Sequence, residues 1–259
     1  MLTGCGSTVD RSDGNWDAVA PKKGDLIATF EIEGHGTIKA VLFPDIAPVG
    51  VENFQKLADK GFYNGLTIHR VMKQFMFQGG SLNGNGTGGA AAVNGGQFGI
   101  ETSEKARHFY GALCYANAGG KNSTQFYIVN ANEKDQFNKT INNYNDAINE
   151  CKNLAEAASS DNEKSFYEYY ASRSEAERDS YAAEVAAMDP ELRSRYEERG
   201  GVTYLDGGYT VFGQVYEGFD VIESISNVEV ESAEGSVDSV PTKPVEKLVI
   251  KSVTVSKFK

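Results

Sequence analysis

A chain of 259 residues with 40% hydrophobic content is long enough to bury a core, and 11% aromatic residues with 28 glycines lean towards a strand-rich body with many tight turns. Lys+Arg 25 against Asp+Glu 36 leaves a net charge of -11, which argues against the phosphate neutralisation that drives nucleic-acid binding. Three cysteines (Cys5, Cys114, Cys151) and three histidines (His35, His69, His108) are too few and too scattered for a disulfide framework, a metal site or a hydrolase triad, and no stretch approaches the roughly 20 apolar residues that span a bilayer.

At the start, Leu2-Thr3-Gly4-Cys5 resembles the lipobox of bacterial lipoproteins, where the cysteine becomes the lipidated N-terminus. The resemblance implies a lipid on Cys5 as the sole membrane attachment, an extracytoplasmic, cell-surface location, and an apolar signal run upstream of Met1. Residues 6–25 are polar, carry Gly and Pro and show no periodicity, so residues 1–25 read as signal remnant and tether.

Leu26, Ala28, Phe30 and Ile32 alternate, Gly34-His35-Gly36 breaks the run, and Ile38, Ala40 and Leu42 resume it, which predicts a hairpin. Pro48 opens a helix carrying Val51, Phe54 and Leu57 that stops at Gly61. Residues 65–78 read as strand with both faces filled, and a glycine-rich loop covers 79–99. Residues 111–116 and 125–129 read as neighbouring strands joined by the polar turn 119–123.

Between about 141 and 200 the composition changes. Tyr144, Ile148, Cys151, Ala155 and Ala158 fall at helical spacing, Ser174-Glu175-Ala176-Glu177 matches a capping box, and Asp189-Pro190 sets a cap before a first-turn proline. Three or four helices are expected, with an acidic outer face, since the segment holds 14 acidic and 7 basic residues. Strand patterning returns over 202–215, a short helix follows near 219–225, and a final strand runs over 248–255. The acidic stretch 229–238 reads as a surface loop. The expected organisation is a β-rich domain over 26–140 and 201–259, interrupted by a helical insertion at 141–200.

The strongest local signal is Ile68-His69-Arg70-Val71-Met72-Lys73-Gln74-Phe75-Met76-Phe77-Gln78-Gly79-Gly80. Tyr115-Ala116-Asn117-Ala118-Gly119, Thr124-Gln125-Phe126-Tyr127-Ile128 and Leu205-Asp206-Gly207-Gly208-Tyr209-Thr210-Val211-Phe212-Gly213 follow in order. Together these resemble the cyclophilin signature over about 26–140 and 202–259. The resemblance implies a mainly β fold, a closed eight-stranded barrel capped by two helices, here with an α-helical subdomain inserted. It also implies peptidyl-prolyl cis/trans isomerase activity on proline-containing polypeptides, with no cofactor or metal. A monomer is expected.

The implied chemistry is rotation about an X-Pro amide, whose barrier of about 18–20 kcal/mol comes from resonance between nitrogen and carbonyl. No bond is broken, so the site needs a groove that binds the twisted amide better than either planar isomer. By resemblance, Arg70 donates to the proline nitrogen as it loses conjugation. Phe75, Met76, Tyr127 and Leu205 wall the proline pocket, Gln78 and Gln125 orient Arg70 and the substrate carbonyl, and Ala116 and Asn117 anchor the residues before proline. Tyr209 stands where many members carry histidine and keeps a donor at the rim. Tyr204 stands where many carry tryptophan, and so lacks an indole N–H that in relatives contributes to binding cyclosporin. Tyr127, where phenylalanine is commoner, is expected to add a hydroxyl that narrows the pocket.

Gly84-Asn85-Gly86-Thr87-Gly88-Gly89 satisfies a dinucleotide-binding pattern but lacks the following helix, so its glycines are expected to let a loop pass close to the groove. The rival reading, a cyclophilin-shaped binding module or holdase whose insert grips partners, rests on the roughly sixty extra residues before Tyr204 and on the Phe166, Tyr167, Tyr169 and Tyr170 cluster within them.

Overall fold

The computed structural model describes residues 20–233, 238 and 240–259; Cys5 and most of the tether lie outside the described residues. The chain forms two compact units, Met1–Asn132 with Gly201–Lys259, and Glu133–Gly200. The first unit begins with β1 (Leu26–Ile32), β2 (Gly36–Leu42), α1 (Pro48–Asp59), β3 (Thr67–Met72), β4 (Met76–Gly79), β5 (Phe98–Gly99), β6 (Ala112–Ala118) and β7 (Lys121–Val129). The second unit holds α2 (Gln136–Ala157), α3 (Asp161–Ala187) and α4 (Pro190–Arg199). The chain then returns through β8 (Val211–Glu217), α5 (Phe219–Ser226), the short strands β9 (Val230–Glu231) and β10 (Lys243–Pro244), and β11 (Leu248–Lys257).

Strands pair in the order β4-β3-β11-β1-β2-β8-β6-β7, and β4 pairs back onto β7, so eight antiparallel strands close on themselves and leave no open edge in the ring. The two-residue β5 adds to β7 from outside the ring, and β9 pairs with β10. The fold is thus the closed, mainly β barrel expected from the sequence.

Alternation along the strands separates two apolar layers. Phe30, Phe54, Tyr63, Phe77, Tyr115, Phe126, Ile128 and Phe212 belong to one buried cluster, while Met76, Cys114, Tyr127, Val129, Leu205 and Val211 belong to a second. In the first, Tyr115 stacks on Phe212 at 4.4 Å, and Phe54 lies 5.1 Å from Tyr63 and 5.2 Å from Phe212. Aromatic side chains fill the interior, so a groove has to be built on the second layer.

Several local readings change in three dimensions. The run 65–78 is two strands, because Gln74 adopts a left-handed φ of 57° and turns β3 back on β4. The link between β6 and β7 is only Gly119-Gly120, both at positive φ (57° and 75°), and residues 121–124 have joined β7. Strand structure after residue 201 waits until Val211; residues 203–205 form a 3-10 turn.

In the helical unit, α2 starts at Gln136, before the composition shifts. The Ser174–Glu177 box lies inside α3. The working cap is Ser160, whose Oγ accepts from Glu163 N at 3.2 Å, while Glu163 Oε2 accepts from Ser159 N at 2.9 Å. Asp189 caps α4 through bonds from Glu191 N and Leu192 N. The three-residue link between α2 and α3 makes them an antiparallel hairpin: Ile148, Ala155, Ala171 and Val185 are buried, and Tyr144 meets Tyr181 at 6.4 Å. Among the described residues, no helix is long and apolar enough to cross a membrane.

Candidate functional site

The groove grows from the β3–β4 hairpin and the strand that β4 pairs with. Arg70 lies opposite Gln78, and Gln78 lies opposite Tyr127, in the antiparallel registers β3–β4 and β4–β7. Two-residue periodicity then puts Met76 and Gln78 on one face of β4, and Gln125, Tyr127 and Val129 on one face of β7. Phe75 sits in the turn before β4, where its N–H donates to Asn130 Oδ1 at 2.8 Å and its carbonyl accepts from Asn130 N at 3.2 Å. Asn130 thereby fixes an aromatic ring that the turn alone would leave loose.

Arg70 is held from two sides. Its Nη1 donates to Gln78 Oε1 at 3.4 Å, Gln78 Nε2 donates to Gln125 Oε1 at 2.9 Å, and Gln125 Nε2 donates to the Gly86 carbonyl at 2.8 Å. On the opposite edge, Nε and Nη2 donate to the two oxygens of Asp238 at 2.8 and 2.6 Å. Nη2 also meets Met72 Sδ at 3.2 Å. The guanidinium carbon lies 6.0 Å from the Phe75 ring centroid, over an apolar floor. Four of its five N–H groups thus have partners among the described residues, and the second N–H on Nη1 remains for a substrate.

The apolar part of the groove contains Phe75, Met76, Ala116, Tyr127, Leu205 and Tyr209, all members of or packed against the second cluster. Tyr204 stacks on Phe75 with centroids 6.0 Å apart and is itself 71% exposed, as a rim residue should be. Tyr209 meets the Tyr127 ring edge-on at 6.1 Å. Asn117 ties β6 to the 203–209 segment, its Nδ2 donating to the Gly208 carbonyl at 3.1 Å. The eleven groove residues expected from the sequence therefore lie on adjoining β3, β4, β6 and β7, on the β3–β4 turn in the case of Phe75, or on the segment that packs over them.

Two features differ from expectation or escaped it. The Tyr127 hydroxyl does not narrow the pocket: it is bonded to buried His108 Nε2 at 2.9 Å, and burial pushes its phenol well above the ordinary range, so it stays protonated. Asp238, His108, Asp206 and Asn130 were not legible as site residues, because they meet their partners across 19 to 168 positions of sequence with no local pattern to announce it. The glycine-rich loop does pass close to the groove. Gly80, at φ 82°, would place a Cβ 2.6 Å from the Thr124 carbonyl, so only glycine lets the chain turn there over β7.

Among the described residues, no group of three or more His, Cys, Asp or Glu side chains is arranged to hold a metal. The arrangement offers a guanidinium fixed at the edge of a small apolar pocket, which suits stabilising a lone pair on an uncharged, ring-bearing substrate.

Comparison with known proteins agrees with this geometry. The profile of the family described as "Cyclophilin type peptidyl-prolyl cis-trans isomerase/CLD" matches residues 27–165 and 198–255. The chain is 34% identical over 230 residues to a Staphylococcus haemolyticus protein named for peptidyl-prolyl cis-trans isomerase activity, covering 88% of this chain and 90% of that one. A Staphylococcus saprophyticus protein of the same name is 34% identical over 221 residues, covering 85% and 87%. The fold superposes on the crystal structure of a Cryptosporidium parvum cyclophilin type peptidyl-prolyl cis-trans isomerase with a TM-score of 0.58 at 18% identity, covering 91% of this chain and 99% of that one. A second crystal structure of that protein, in the presence of the dipeptide Ala-Pro, gives 0.57 at 18% identity over 90% and 99%. Profile, relatives and fold agree, and the chain belongs to the family of cyclophilin-type peptidyl-prolyl cis-trans isomerases.

Proposed function

We propose that this protein accelerates rotation about X-Pro bonds in exported or cell-surface polypeptides, acting as a monomer tethered through a lipid on Cys5. The observation that carries the catalytic part is Arg70 held between Gln78 and Asp238 beside the pocket of Phe75, Met76, Tyr127 and Leu205. The proline ring enters that pocket without needing hydrogen bonds, because its nitrogen has no N–H. As the amide twists, its nitrogen gains a lone pair that the planar form lacks, and the remaining Nη1–H of Arg70 donates to it. That bond strengthens only in the transition state, so it lowers the barrier rather than merely tightening binding.

Gln125 and Tyr209 offer polar contact to the substrate carbonyl and the rim, Tyr204 extends the rim from Phe75, and Ala116 with Asn117 align the preceding residues as an added strand. A protease-coupled assay on a short proline peptide tests the reading. Turnover is expected from the intact protein and its loss from Arg70→Ala, and an inactive intact protein overturns it.

The cell-surface part is supported by Leu2-Thr3-Gly4-Cys5 and the polar tether after it. A second reading, a holdase, is favoured by one feature of α3: Phe166, Tyr169 and Tyr170 are 55%, 62% and 42% exposed and contact one another, with Phe166 and Tyr170 centroids 4.7 Å apart. Tyr181 and Val185, by contrast, pack inside the helical hairpin. The exposed aromatic surface suits holding an unfolded client, and in this reading catalysis is incidental to that role.

A further inference from the structure

We propose that His108 is a positioning residue for the proline pocket, joining its strand wall at Tyr127 to its loop wall at residues 202–209 through Asp206. The inference rests on the isomerase reading above and adds a residue that the reading does not use.

His108 is 1% exposed and makes four bonds. Its Nδ1 lies 2.7 Å from Asp206 Oδ1, its backbone N–H donates to the same oxygen at 3.0 Å, its Nε2 lies 2.9 Å from the Tyr127 hydroxyl, and its carbonyl accepts from Val202 N at 2.8 Å. Two of the four reach the segment that carries Tyr204, Leu205 and Tyr209 through a single carboxylate, and a third sets where that segment begins. The fourth reaches the middle of β7. A residue placed only for local packing does not need to bridge both sides of one pocket.

The chemistry sets the direction of each bond. An ionised Asp206 can only accept, so the ring carries its proton on Nδ1 and presents a bare Nε2. The Tyr127 phenol must then donate inward to Nε2. Its polar end is used away from the groove, and the aromatic ring is left as the wall. The groups facing this network are Asp206, with Arg107 Nη1 3.7 Å from its other oxygen, Tyr127 and Tyr209, whose rings lie 6.1 and 6.4 Å from the His108 ring, and Cys114, which pairs with Tyr127 across β6 and β7.

Two variants separate the two arms. Asn at position 108 can place a donor near Nδ1 and so keeps the side-chain bond to Asp206 but drops Tyr127. Gln can reach the Nε2 position and keeps Tyr127 but drops the side-chain bond to Asp206, leaving only the backbone N–H on that carboxylate. The measurement is KM and kcat for a short proline peptide, with the far-UV spectrum and the unfolding midpoint followed alongside. The expected result for His108→Asn is a KM raised about tenfold with kcat changed little, as for loss of binding common to ground and transition states.

Adding Tyr127→Phe to His108→Asn is expected to restore much of that KM, because the second change removes the hydroxyl that has lost its imidazole acceptor and keeps only the weak acceptor Cys114. His108→Gln is expected to raise KM without rescue by Tyr127→Phe. An unchanged KM in folded His108→Asn, or no rescue in the double variant, overturns the inference. If neither His108 variant folds, Asp206→Asn and Tyr127→Phe alone take their place, and an unchanged KM in both has the same consequence. Activity of the unaltered protein is measured first, so failure of the isomerase reading is seen separately.

Discussion

Asp238 holds Arg70 by the edge that Gln78 does not, with oxygens 2.6 and 2.8 Å from Nη2 and Nε. The carboxylate is itself set by Thr242, whose Oγ1 donates to Asp238 Oδ2 at 2.9 Å and whose carbonyl accepts from Val71 N at 2.7 Å, one residue beyond Arg70. The pair is only partly exposed, at 29% and 11% of side-chain surface, so it is less screened than a surface ion pair. A planar guanidinium fixed on both edges gives up little rotamer entropy when it meets the substrate.

The effect of that grip can be separated from the effect of the charge. Arg70→Ala is expected to lower kcat/KM by about 2–4 kcal/mol, the range for losing one preorganised donor, with the fold intact. Asp238→Ala leaves the donor but frees it, and is expected to lower kcat/KM by about tenfold, mostly in kcat. Steady-state kinetics on one proline peptide checks both. A rise in activity for Asp238→Ala would show that the carboxylate competes with the substrate for Arg70 instead of aiming it.

His69 predicts a pH dependence of stability. Burial, assisted by the Arg70 charge and partly offset by the Thr67 backbone, lowers its pKa from the usual 6.5 to about 4. The folded form therefore holds the ring neutral where the unfolded chain would take a proton. Stability is expected to fall as pH drops below about 6.5 and to level off, for this group, below about 4, by up to about 3 kcal/mol. Denaturant unfolding at pH 7 and pH 4.5 should show a smaller difference for His69→Gln than for the unaltered protein. Equal differences would show that another group carries the pH response.

The exposed aromatic patch on α3 separates peptide chemistry from client handling. Replacing Phe166, Tyr169 and Tyr170 with serine should leave short-peptide isomerisation unchanged, because none of them is part of the groove. Refolding of a proline-limited protein substrate should slow roughly threefold if the patch holds clients. Retention of both activities would make the patch an idle surface, and equal loss of both would show that α3 supports the barrel.

For the tether, the protein expressed behind a lipoprotein signal should partition with membranes, and Cys5→Ser should release it. An intact-mass measurement that finds an unmodified Cys5 in the membrane-exposed product would remove the anchor from the proposal.

The order of elements was legible because strand and helix periods are local properties of the chain. Phe30 and Ile38 alternate with the solvent face, Pro48 opens α1, and Asp189 caps α4, all within a few residues of the signal that announces them. The groove residues on β3, β4 and β7 were legible by resemblance, since Arg70, Phe75, Met76 and Gln78 sit in one short run. Other features depended on pairing across long loops. The inward turn of the Tyr127 hydroxyl and the bridge from His108 to Asp206 follow from the pairing of β6 with β7 and β8, and the grip of Asp238 on Arg70 from Thr242 bonding Val71 N beside it. The Gln74 turn that splits residues 65–78, by contrast, is local but lies at a residue type that does not announce a left-handed φ. Closure brings β4 against β7 and leaves β3, β4, β6 and β7 as neighbours, so side chains up to 168 positions apart share one groove. No local pattern encodes such a meeting, because its energy comes from excluding water between strands that the sequence separates.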